Sequence, residues 1–211
     1  MRLPAAALLA ALLSLPGAVR ADDSWGLSLQ LLWGVSRYDV GGLQAGLSNQ
    51  GSDMLKDSAS VVGGLGLLRL GILDLGVLYE GGAISGTAGT ADSMVLTPEV
   101  GFALPLGDTF RLDLLGELGG HKISNIAASG GTIDYSQATA VWLPYLGVRP
   151  MLTLRFPLGP VKAIGSLAAF ARWDLVKKDA TLEPVSGSTV SVPYELGGTT
   201  FGLSAGVGIE F

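Results

Sequence analysis

The sequence predicts an all-β chain folded as an eight-stranded, antiparallel, up-and-down transmembrane β-barrel. Three observations carry that expectation. Large apolar residues recur at every second position in eight separate stretches, the period of a strand with two unlike faces. The connections between those stretches alternate strictly between short and long. The chain is 48% hydrophobic and 15% charged, with 32 glycines among its 211 residues, which is too apolar for a disordered chain and too glycine-rich for a helical one.

The first segment is a targeting signal and not part of the fold. Met1 and Arg2 supply a positive start, Ala5 to Leu15 is a run of Ala and Leu broken only by Ser14, and Val19-Arg20-Ala21 offers small residues where a signal peptidase reads them. Residues 1–21 are therefore assigned to a secretory signal peptide and 22–211 to the barrel, with cleavage after Ala18 as the rival site. The run is too short to span a bilayer as a helix, which takes roughly 20 apolar residues. Removing it deletes Arg2 and Arg20, leaving 11 basic residues against 18 acidic ones, a balance of about −7 that argues against nucleic acid as a partner. Cysteine is absent, so an exported chain must hold together without disulfides.

The strands follow in order. The first alternates Trp25, Leu27, Leu29, Leu31, Trp33 and Val35 with Gly26, Ser28, Gln30, Leu32, Gly34 and Ser36. The second, Ala59 to Arg69, is the least regular, and Val61, Leu65 and Leu67 are assigned to its apolar face. The third sets Leu73, Leu75, Val77 and Tyr79 against Asp74, Gly76, Leu78 and Glu80. The fourth runs from Met94 to Leu104 with Glu99 on its polar face, and the fifth from Phe110 to Leu118 with Arg111, Asp113 and Glu117 on its polar face. Trp142 to Thr153 forms the sixth, with Tyr145 and Arg149 on the polar side, and Lys162 to Trp173 the seventh, with Phe170 and Arg172 there. The eighth is the closing stretch, Phe201, Leu203, Ala205, Val207, Ile209 and Phe211 alternating with Thr200, Gly202, Ser204, Gly206, Gly208 and Glu210.

Stretches of roughly ten residues cross a bilayer at a tilt. The short connections are Arg69 to Ile72, Leu104 to Asp108 and Phe156 to Pro160; the long ones are Asp39 to Asp57, Gly81 to Asp92, His121 to Ala138 and Val176 to Glu195. An even-stranded meander puts all short turns on one rim and all long loops on the other. Pro98, Pro144 and Pro150 each remove a ladder donor and are expected to mark bulges.

Which face meets lipid follows from the polar side. It is mostly Gly, Ser, Ala and Thr rather than the dense Lys, Glu and Arg of a water-facing surface. Small residues suit a narrow interior, where they leave room for Tyr145, Arg149, Phe170 and Arg172. The Leu, Val and Trp face then looks outward. Aromatics gather at both strand ends, Trp25, Phe102, Phe110 and Phe211 near the short turns and Trp33, Tyr79, Trp142, Trp173 and Phe201 near the long loops, as two interfacial belts require.

An alternating apolar strand with terminal Phe211 resembles the C-terminal signal read by the barrel-assembly machinery in Gram-negative outer-membrane proteins. Eight strands with four long loops resemble the small porin-like barrels of the OmpA transmembrane-domain, OmpX and OmpW kind over residues 22–211, with no motif selecting one family. The resemblance implies a monomer in the outer membrane, bounded by its lipid and lipopolysaccharide, with surface loops that carry recognition or are inert coils.

Among chemical sites, the lumen charges Glu99, Arg111, Asp113, Glu117, Arg149 and Arg172 are the candidates, because charges in a low-dielectric interior must pair. They act either as a plug or as a gate whose ion pairs swap partners. The lone histidine in His121-Lys122-Ile123-Ser124-Asn125 is one residue too widely spaced to match the His-x-Ser-Asn arrangement of lipid A deacylases. No catalytic, cofactor or metal site is expected; Asp39, Asp53, Asp57, Asp92, Asp134 and Asp179 are acidic loop residues without calcium-loop spacing. The expected role is a structural or surface-interaction barrel with a filled lumen, with a channel for small or hydrophobic compounds and a lipid A-modifying enzyme as alternatives.

Overall fold

The computed structural model describes residues 25–39, 41–42, 58–85, 89–130, 133–137, 139–185 and 191–211. The signal segment, residues 22–24, and Asp53 and Asp57 lie outside them. Within the described residues the strands are β1 (Gly26–Tyr38), β2 (Ser58–Leu70), β3 (Leu73–Ser85), β4 (Gly89–Leu106), β5 (Phe110–Gly130), β6 (Ile133–Gln137), β7 (Val141–Leu158), β8 (Val161–Asp174), β9 (Lys178–Pro184), β10 (Val192–Leu196) and β11 (Thr199–Glu210). Eight of them close a barrel in which each pairs antiparallel with its neighbours, β5 passing directly to β7 and β8 to β11, and β11 meeting β1 along an unbroken ladder from Tyr38↔Thr200 to Ser28↔Glu210.

The stagger of the barrel can be followed partner by partner. From Ser28 the path runs through Leu67, Gly76, Glu99, Glu117, Gly147, Arg172 and Thr200, and returns to β1 at Tyr38, ten residues beyond its start. A stagger of this size over eight strands tilts them by about 40° and leaves an interior that side chains can fill. Two-residue and three-residue turns join β2 to β3, β4 to β5 and β7 to β8, since Leu70 pairs with Leu73, Leu106 with Phe110 and Leu158 with Val161. Gly71 opens the first at φ 64°, a backbone that tight hairpin turns demand and that glycine adopts without strain.

The two faces divide as the alternation requires. All nine belt aromatics are exposed on the outer wall, while Ser28, Gln30, Thr97, Glu117, Arg149 and Ser204 are buried inside. Strand β2 departs from the expectation. Val61, Leu65 and Leu67 point into the lumen, at 5, 2 and 1% exposure, and Val62, Leu68 and Leu70 look outward. Pleating leaves no choice, because Leu67 is paired with inward Ser28 and with Gly76, whose missing side chain makes room for it: a Cβ there would lie 2.4 Å from Leu67 Cδ2.

The prolines also depart from it. Pro98, Pro144 and Pro150 face outward and the register passes through them unshifted, as Val77↔Pro98, Gly120↔Pro144 and Leu114↔Pro150. The register shift between β4 and β5 falls instead between Thr90 and Asp92, opposite Asn125 at φ 51°. There Asn125 Nδ2 donates to Asp92 Oδ2 at 2.7 Å, and the inward phase of β5 moves from His121 and Ile123 to Ile126 and Ala128.

Much of what composition assigned to loops is strand. β3 continues to Ser85, β4 starts at Gly89, and β5 runs on to Gly130, so that β4, β5 and β7 reach 18, 21 and 18 residues where about ten suffice to cross a bilayer. The excess of β5 pairs with β6, β6 with β9 and β9 with β10, a cap that lengthens the barrel wall at its loop end, since Tyr135↔Pro184 keeps the register of Tyr145↔Asp174 and Ile126↔Gln137 follows on from Ile123↔Val141. Its inner side, Tyr135, Leu182, Val192, Tyr194 and Leu196, packs on Ile84, Ile123, Ile126 and Leu143 of the barrel. Each fully buried Leu, Ile or Val there contributes about 1.5–3 kcal/mol. The Tyr194 hydroxyl donates to Gln137 Oε1, and burial pushes its phenol up to about 12.

Because Asn125 combines a left-handed backbone with a side-chain bond across the ladder, Asn125→Val should lower stability by about 1–3 kcal/mol in urea unfolding of the refolded barrel, and Asn125→Gly by less. Equal losses for the two would show that the positive φ is not what the position requires.

Candidate functional site

The lumen holds three polar layers, each assembled from strands distant in sequence. The middle layer contains four of the six charges expected to group there. Arg149 on β7 reaches Glu80 Oε1 at 2.8 Å through Nη2, and Glu117 Oε1 at 2.9 Å through Nε. Arg172 on β8 binds the other oxygens of the same two carboxylates, Glu80 Oε2 and Glu117 Oε2, both at 2.6 Å. Glu99 on β4 lies 3.2 Å from Arg149 Nε. Glu80 is the member that the sequence does not reveal, because nothing in β3 by itself tells that its inward face stands across the barrel from β7 and β8.

Three carboxylates thus surround two guanidiniums that are 0 and 4% exposed. The planar fork of each arginine bridges Glu80 and Glu117, and these charged hydrogen bonds offset the lost hydration, while neither oxygen of Glu99 has a hydrogen-bond partner. Phe170 supplies a second contact, its ring centre 4.9 Å from the Arg149 guanidinium and 4.3 Å from that of Arg172, within cation–π range. Glycines make the space. A Cβ on Gly147 would stand 3.0 Å from Glu117 Oε2 and from Arg172 Cγ, and one on Gly202 would stand 2.5 Å from the Phe170 ring. Larger side chains at either position would push the cluster apart.

Arg111 and Asp113 do not join this layer. They belong to a second one at the turn end, where Arg111 Nε binds Asp113 Oδ1 at 2.6 Å and Arg111 Nη1 binds Glu210 Oε2. Arg69 completes it, 3.0 Å from Asp74 Oδ1 and 3.2 Å from Glu210 Oε2, and Thr153 donates to Asp113 Oδ2 at 2.9 Å. Lys162 and Arg155 approach Glu210 Oε1 from the rim, at 3.5 and 3.8 Å. Depth separates the layers: Asp113 and Glu117 share a face of β5 but stand four residues apart, about 13 Å along a strand.

The third layer lies under the cap. His121 Nε2 is 3.2 Å from Ser93 Oγ, which is 2.8 Å from the Tyr38 hydroxyl, and His121 Nδ1 is 3.8 Å from Asp174 Oδ1. The His121 ring stacks on Tyr38 with centroids 5.4 Å apart. Ser124, the serine that sequence spacing offered as its partner, sits three residues along β5 and therefore on the opposite face. Among the described residues no group of three or more His, Cys, Asp or Glu is arranged to hold a metal ion. Phe211 is exposed on the outer wall, and its amide bonds the Leu27 carbonyl at 2.9 Å across the seam.

With the closed eight-strand wall, the charged interior and the apolar exterior in place, two solved structures are instructive. Neisserial surface protein A matches with a TM-score of 0.51 at 8% identity, over 90% of this chain and 98% of that one. The outer membrane protein OprG from Pseudomonas aeruginosa matches with a TM-score of 0.54 at 12% identity, over 89% of this chain and 96% of that one. The fold is that of the small outer-membrane β-barrels. No protein-family model and no curated protein matches the sequence.

Arg149 is bonded from three strands, so Arg149→Ala leaves three buried carboxylates facing one guanidinium and should cost about 3–5 kcal/mol in urea unfolding. Arg149→Met combined with Glu117→Gln should recover part of that loss. If the double variant were as unstable as the single one, lost packing rather than unpaired charge would be the cause.

Proposed function

We propose that this chain is an outer-membrane barrel with a structural or surface-interaction role and a lumen closed to solutes. The observation that carries the reading is the Glu80–Arg149–Glu117–Arg172 network, which ties β3, β5, β7 and β8 together across the interior. The turn-end layer around Glu210 and the apolar packing beneath the cap support it at two further depths. In this reading the turns face the periplasm, where a chain exported by the secretory route would enter the assembly machinery, and the cap faces outward as the surface available for recognition. The barrel works as a monomer in contact with lipid and lipopolysaccharide, and not as an enzyme: His121, Ser93 and Tyr38 brace the wall beneath the cap.

Two measurements test the reading. The folded barrel should migrate differently on a detergent gel before and after boiling, and should fractionate with the outer membrane; a soluble protein without a heat-dependent shift would refute the assignment. In planar bilayers it should give no stepwise current. Steady conductance, altered by Arg149→Ala, would replace the plug with a gate.

A further inference from the structure

The outer wall is not uniform. Across β2, β1, β11 and β8 it is indented by a groove of about 660 Å³. Trp33, Val62, Leu167 and Leu203 line it, together with the small residues Ala169 and Ala205. These belong to one level of the barrel, since Trp33 pairs with Val62 and Ala205, Ala205 with Leu167, and Leu203 with Ala169.

What stands at the loop end of this groove gives it an occupant. Among the described residues of the eight barrel strands, the outward face carries charge at Arg37, Asp92 and Lys122 and nowhere else, all toward the loop end. Arg37 is the one in the groove's own sector. It follows Val35, a lining residue, by two positions on the same face of β1, about 7 Å along the strand. Its register partners are Phe201, a member of the loop-end aromatic belt, and Ser58, which is also exposed. Aromatic belts mark the depth of lipid headgroups. An apolar trough ending at headgroup depth in a guanidinium and a hydroxyl is complementary to a chain ending in a phosphate.

We propose that the β2–β1–β11–β8 sector is a binding site for one phosphate-bearing lipid, which lays an acyl chain in the groove and places its phosphate at Arg37 and Ser58. The inference rests on the reading that this wall faces a bilayer, and it adds that one lipid is held selectively, where the remaining wall meets lipid without preference.

The test uses the barrel reconstituted into vesicles of equimolar phosphatidylglycerol and phosphatidylcholine with identical chains, then examined by native mass spectrometry. The wild-type barrel should retain one lipid, with phosphatidylglycerol favoured about five-fold, the preference a single arginine near a membrane surface supports. Arg37→Gln should bring the two lipids to parity, and Ala169→Leu with Ala205→Leu, which fills the groove while keeping the wall apolar, should remove the retained lipid. Parity in the wild type, or a retained lipid unaffected by either variant, would overturn the site. Failure of the protein to float with the vesicles would take down the membrane reading as well, so the two failures are told apart by flotation.

Discussion

The closure of β1 on β11 is the constraint from which the rest of the structure follows. A strand that faces hydrocarbon has no water to satisfy its amides and carbonyls, so each must find a partner in another strand, and the last strand must return to the first. The ladder from Tyr38↔Thr200 to Ser28↔Glu210 accomplishes this, and Leu27 and Phe211 exchange backbone bonds to extend the seam. The stagger of ten residues that accompanies closure sets the bore. A bore of that size can neither stay empty nor hold bulky residues at every inward position, which is why Gly147 and Gly202 sit beside Arg172 and Phe170.

From the bore follows the chemistry of the interior. Arginines 149 and 172 are tolerated because Arg149 meets three carboxylates and Arg172 two, each also against an aromatic face, and those carboxylates reach them from strands on different sides of the lumen. Ion pairs of this kind contribute little net stability compared with apolar packing, but breaking one leaves an uncompensated buried charge. They therefore specify which strands face one another more than they drive folding. Outside, the wall is apolar because lipid requires it, and its departures from uniformity, the groove and Arg37, are where a preference can be built.

How far the sequence could be read varied from element to element. Strands with one face of large residues and another of small ones, such as β1 and β11, were legible in both position and orientation. Strand β2 was not, because Val61 and Val62, or Leu67 and Leu68, place comparable residues on both faces; only pairing with Ser28 and Gly76 decides between them. The cap strands were hidden for a related reason: β6, β9 and β10 are five to seven residues long and lie within Gly-, Ser- and Thr-rich segments, where composition outweighs a short alternation.

Alternation, the meander of eight barrel strands with short turns on one rim, and the inward direction of Glu99, Glu117, Arg149 and Arg172 can all be read from the order of residues alone. These are properties of period and spacing, which a single strand carries within itself. Closing the barrel is what brings Glu80 to those four, sets Arg111 and Asp113 with Arg69, Asp74 and Glu210 in another layer, puts Ser93 and not Ser124 against His121, and opens a groove beneath Arg37. Each depends on the register between strands and on the stagger that closes the barrel, and one residue of slip in either would exchange the partners while leaving every local pattern as it stands.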